Sequence, residues 1–81
     1  MEPDFDCNAV IQECMQGISS YFEISVEGVS LGMSFDSIEE ALAYLNSWME
    51  SEKYWPDIYY CNYRGNTDLI DKDGNILESW V

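Results

Sequence analysis

The side chains able to do chemistry in this sequence are carboxylates and thiols: 16 Asp and Glu, three Cys, and no His among 81 residues. Adjacent acids such as Glu39-Glu40 have the residue types that glycosidases use, one carboxyl donating a proton while a second carboxylate attacks or activates water. With acids this dense, however, adjacent pairs arise by chance, and no other feature of the sequence suggests a substrate cleft. The run Asp71-Lys72-Asp73-Gly74-Asn75 begins like a calcium-binding EF-hand loop. Ile76 then stands where that loop requires glycine, and no bidentate glutamate follows. It reads as a polar hairpin turn. Cys7 and Cys14 are expected on one face of a helix, about 10 Å apart by helical rise, beyond the ~7 Å reach of a disulfide. Cys61 sits in a strand-like run, and all three read as small buried thiols. Neither a metal nor a cofactor is expected, and the chain is not read as an enzyme.

What remains is charge. Only Lys53, Arg64 and Lys72 oppose the acids, leaving a formal net charge of −13. Acidic chains that stay disordered are poor in aromatic and apolar residues, whereas this one is 47% hydrophobic and 15% aromatic. It can bury a core, as a single domain over residues 1–81. No stretch approaches the ~20 apolar residues of a membrane-spanning helix. The start, Met1-Glu2-Pro3-Asp4, is acidic where a signal peptide is basic and then apolar, so a complete cytosolic protein is expected. Direct binding to DNA or RNA needs basic patches and is excluded by this charge. Two carboxylates about 7 Å apart repel by roughly 0.6 kcal/mol even in water. An excess this large therefore works against the compact state and asks for a functional reason. A carboxylate array on a folded scaffold can imitate nucleic-acid phosphates and occupy a basic groove.

The elements that hold these groups follow from periodicity. Asp6 caps an expected first helix, Cys7 to Gln16, with Val10, Ile11, Cys14 and Met15 as its apolar stripe and Gly17 ending it. Phe22, Ile24 and Val26 alternate with polar neighbours, as do Val29, Leu31, Met33 and Phe35. Together they form a hairpin closed at Glu27-Gly28. Asp36-Ser37 followed by Glu39-Glu40 reads as a capping box opening a second helix from Ile38 to about Glu52. Ile38, Ala41, Leu42, Leu45, Trp48 and Met49 share its apolar stripe. Asp57 to Arg64 reads as a strand, Gly65-Asn66 as a turn, and Thr67 to Ile70 with Ile76 to Val81 as a second hairpin. The expected fold class is α+β, in the order α-β-β-α-β-β-β. It has two layers: an antiparallel sheet of four to five strands with two helices on one face. The expected core is Val10, Ile11, Phe22, Ile24, Val26, Leu31, Phe35, Ala41, Leu42, Leu45 and Trp48. A two-layer fold leaves one sheet face open, so part of the aromatic complement should be exposed as interface anchors: Tyr59 and Tyr63 on one strand face, and Trp80.

The stretch Met33-Ser34-Phe35-Asp36-Ser37-Ile38-Glu39-Glu40 is a strand feeding a capped acidic helix. In this layout, in small size and in strong acidity, the chain resembles the phage-encoded inhibitors of bacterial defence, above all the anti-CRISPR proteins. The resemblance implies a non-enzymatic inhibitor acting in the cytoplasm of a bacterial host cell. It also implies a basic nucleic-acid-binding partner, a CRISPR effector complex. The candidate contacts, chosen for position and not carried over from any family member, are Glu23, Glu39, Glu40, Glu50, Glu52, Tyr59, Tyr63 and Trp80. Two alternatives are an immunity protein that neutralises a basic nuclease toxin, for which Ile58-Tyr59-Tyr60 would suit, and a non-inhibitory acidic adaptor subunit.

Overall fold

The computed structural model describes residues 2–81. Its element order is β1 (Ala9–Gln16), β2 (Ser19–Val26), β3 (Val29–Phe35), α1 (Ile38–Glu52), β4 (Ile58–Cys61), β5 (Thr67–Ile70) and β6 (Ile76–Trp80). The class is α+β. One six-stranded sheet has the order β3-β2-β1-β4-β5-β6. It is mixed: β1 pairs with β4 in parallel, and every other pair is antiparallel.

The expected first helix is therefore corrected to a strand, which leaves one helix where two were expected and six strands where four or five were. The sequence Ala-Val-Ile-Gln-Glu-Cys-Met-Gln is compatible with both periods. Taken as a strand, Ala9 and Ile11 fall on the helix side and are fully buried, while Val10, Gln12 and Cys14 turn to the other face. Gln16 pairs with Ser19, so Gly17-Ile18 forms a two-residue hairpin loop. Gly17 has φ 63 while Ile18 is not left-handed, as in a type II′ turn with glycine first. The glycine that resembled a helix terminator is thus a strand connector. Cys14 accordingly lies on β1 and Cys7 in the preceding segment, where it is exposed.

The remaining boundaries lie close to expectation. The β2–β3 turn places Glu27 at φ 53 and Gly28 at φ 80, the two positive values of a type I′ turn. Ser37 caps α1 by accepting a hydrogen bond from the Glu40 amide at 3.1 Å, and Glu40 Oε2 reaches back to accept from the Asp36 amide at 3.4 Å. Lys53 closes the helix in the left-handed conformation, φ 57. The third expected strand is shorter than Asp57 to Arg64. It ends at Cys61 because Asn62 folds the next residues into a turn, its Oδ1 accepting from the Arg64 and Asn66 amides, both at 3.0 Å.

α1 connects β3 to β4 across the sheet and lays its stripe on β1, β2 and β3. Ala41, Leu42, Leu45 and Met49 meet Ala9, Ile11, Phe22, Ile24, Val26, Ile58 and Ile70 in one buried cluster. Leu31, Phe35 and Trp48 pack at its margin as partly buried residues. Val10, expected in the core, faces the opposite side with β1's other even-numbered residues. No helix of the described residues is long and apolar enough to cross a membrane.

Candidate protein-interaction surface

The acids are the groups with the most to say about function. Thirteen of the 16 are exposed, Glu13, Asp68 and Asp71 are half-buried, and none is buried. The helix distributes its own four unevenly. At about 100° per residue, Glu39 and Glu50 fall within about 20° of each other and about 16 Å apart along the axis. Glu40 is rotated about 100° from Glu39, and Glu52 about 220°. The four expected contacts therefore do not form one face. Only Glu39 and Glu50 share a flank.

The β5–β6 loop supplies more charge on that flank. Asn46, on the same side of α1, donates through Nδ2 to the Lys72 carbonyl at 2.9 Å. Gly74 lies against Leu42. Glu39 and Asp73 consequently line one shallow depression with Ile38, Leu42 and Gly74. The loop is itself organised by Asp71, whose Oδ1 accepts from the Asp73 and Asn75 amides, both at 2.9 Å, while Oδ2 accepts from Asn75 Nδ2 at 3.1 Å. These bonds to Asn75 hold the Asp71 carboxyl below its ordinary pKa. The sequence that resembles a calcium loop is thus a turn built on one aspartate, and the described residues hold no metal-ligating cluster.

The sheet face away from the helix is divided. Its β1–β2–β3 half is polar, with Gln12, Ser25 and the expected contact Glu23, whose Oε1 accepts from the Cys14 thiol at 3.4 Å. Burial and this bond push the Cys14 pKa up. The other half is aromatic. Tyr59 is expected as an exposed anchor, but it is only 5% exposed. Phe5 closes over it edge-on, centroids 5.4 Å apart, and Trp80 packs beside it at 6.0 Å. Tyr59 therefore holds the segment before β1 against the sheet, and the expectation that it is exposed is corrected. Trp80, half-buried at the end of β6, belongs to the same cluster. Tyr63 lies beyond β4 in the 62–66 turn, not on a strand face with Tyr59. It is exposed, and its hydroxyl accepts from Arg64 Nε at 3.2 Å.

A second acidic grouping, not anticipated from sequence, lies on the helix side of the sheet. Tyr60 on β4 is paired with Asp68 on β5 and lies beside Ile11 on β1, two residues from Glu13. Burial first, then the charge and hydrogen bonding of Glu13, then Asp68, push the Tyr60 phenol up to about 12. An unfolded tyrosine ionises near pH 10. Above that value the unfolded chain has lost a proton that the folded chain retains, so this group's contribution to stability falls as pH rises toward about 12. Phenolate absorbance of the folded protein is expected to include a step near pH 12, and Tyr60→Phe is expected to remove that step. Uniform titration of all the tyrosines would contradict the assignment.

No family model matches the chain, and neither a curated protein nor a solved structure matches it.

Proposed function

We propose that this protein is a non-enzymatic inhibitor that binds a basic nucleic-acid-handling protein or complex in the groove its nucleic acid would occupy. A bacterial CRISPR effector is the target of first choice. The observation that carries the reading is the placement of charge: 16 acids against three cations, none of the acids buried, on a domain whose core is fully assembled without them. Exposed charge costs little to fold around but repels itself. Its natural complement is a Lys/Arg-lined surface, which it approaches under electrostatic steering.

Glu39 and Glu50 share the α1 flank, and Asp73 joins Glu39 there, which supports these three as the first choice of array; Glu40, Glu52 and Glu23 lie on other faces. The test uses the tagged protein to capture partners from cells carrying CRISPR complexes and from a panel of basic nucleases, with and without competing DNA. The expected result is capture of a basic complex that DNA displaces. The variant Glu39→Lys/Glu50→Lys is expected to slow association by about tenfold or more at low salt, within the range that steering contributes. Both positions are exposed, so the fold is retained. A partner that DNA does not displace would replace mimicry with an adaptor role. Selective capture of a nuclease toxin would establish the immunity reading. Charge reversal without effect would leave the acids as a solvated coat.

A further inference from the structure

At the end of α1 the β2–β3 turn lies alongside the helix, and a groove of about 380 Å³ runs between them. Val29 and Leu31 on the edge strand, with Trp48 on the helix, give it apolar walls, while Glu27, Glu52 and Tyr54 give it a polar rim. The Tyr54 hydroxyl is fixed by donating to the Cys7 carbonyl at 3.1 Å. Glu27 lines the groove beside Tyr54, and the nearby carboxylate raises the Tyr54 pKa.

Both rim acids sit where folding alone would not put them. Glu27 occupies a left-handed position, φ 53, which type I′ turns ordinarily give to Asn, Asp or Gly. Glu52 is in the last turn of α1, where no basic residue is present and where a carboxylate opposes the helix dipole. Two side chains that work against local stability thus line the same groove, beside its apolar residues.

We propose that this groove receives an arginine side chain presented by the basic partner. Its aliphatic stem lies on Val29, Leu31 and the Trp48 ring, and its guanidinium sits between the Glu27 and Glu52 carboxylates. The inference rests on the proposed function only in taking the partner to be basic. Arginine fits each part of the groove: an apolar stem that covers the aliphatic and aromatic walls, and a planar fork with donors enough for two carboxylates. Lysine lacks the plane and the fork. An apolar segment would strip water from two carboxylates and return nothing. A second copy of this chain, carrying −13 itself, would be repelled.

The probe is N-acetyl-arginine methylamide, titrated into the protein and followed by NMR. The expected result is saturable shifts of the Trp48 indole N–H and of the Val29 and Leu31 methyl signals, with N-acetyl-lysine methylamide binding several-fold more weakly. Glu27→Asn/Glu52→Gln is expected to abolish the shifts while raising the melting temperature, since Asn suits the turn and Gln no longer opposes the dipole. Glu39→Gln/Glu50→Gln, on the other flank, is expected to leave them unchanged. Absent shifts, equal shifts in the groove variant, or equal binding of the lysine probe would overturn the proposal. In partner capture, a loss caused by Glu39→Lys/Glu50→Lys but not by Glu27→Asn/Glu52→Gln would reject the arginine groove and leave the inhibitory reading standing. A loss caused by the groove variant alone would support the groove and reject the Glu39/Glu50 flank as the contact.

Discussion

Leu45→Ala is expected to lower the free energy of unfolding by about 3 kcal/mol, within the range for leucine deletions from close-packed cores. Leu45 is fully buried at the centre of the α1 stripe, in the cluster that joins the helix to β1 and β2. The change improves helix propensity, because alanine is the best helix former. Any loss therefore reports tertiary packing and the cavity left behind. For a domain of this length, whose total stability is expected at about 4–12 kcal/mol, such a loss brings the folded state near its limit. Ser47, on the exposed side of the same helix, is the control: Ser47→Ala is expected to change stability by less than about 0.5 kcal/mol. Urea unfolding followed by circular dichroism measures both. Equal effects would mean that the helix does not dock through this stripe.

The second large effect is expected from salt. Raising salt from 0.1 M to 1 M contracts the screening length from about 10 Å to about 3 Å, and the melting temperature at neutral pH is expected to rise by about 10 °C. Each kilocalorie per mole recovered moves the midpoint of a domain this small by about 4–8 °C, so a modest collective relief suffices. The structure supports the expectation because the acids are grouped. Glu39 adjoins Asp73, Glu27 and Glu52 rim one groove, and Asp4, Asp6 and Glu27 all act on Cys7, raising its pKa, Asp4 most strongly. A neutral osmolyte at matched osmolality separates screening from preferential exclusion. A flat or falling trend with chloride salts would mean that the acids stand too far apart to matter and that the excess charge does not destabilise the fold.

Much of the chain was legible locally because its signals are local. The β2–β3 hairpin follows from strict alternation and a two-residue loop. The helix from Ile38 follows from Ser37, Glu40 and a continuous stripe. The β5–β6 hairpin follows from the polar run at Asp71 to Asn75. In each case a few neighbouring side chains satisfy the backbone, and no distant partner is needed. β1 was different. Val10, Ile11, Cys14 and Met15 suit a helical stripe, while Ala9 and Ile11 suit a strand, and eight residues cannot separate the two periods. Pairing with β2 on one side and β4 on the other decided it, because a central strand satisfies its hydrogen bonds through residues up to about fifty positions away.

The same division holds for the candidate site. Charge, the scarcity of basic residues, the lack of histidine and the core-forming capacity are properties of composition, so the sequence by itself determined that this is a folded, strongly acidic chain. Which acids act together was decided only by tertiary structure. Glu39 and Asp73 are 34 residues apart in the chain and line one depression because the β5–β6 loop packs against α1. Glu27 and Glu52 line one groove because the helix ends beside the β2–β3 turn. Tyr59 is withdrawn from the surface because Phe5, far from it in sequence, closes over its ring. Composition sums over residues and sets the sign and strength of the field. Its shape depends on distances between residues remote in sequence, which only the folded chain fixes.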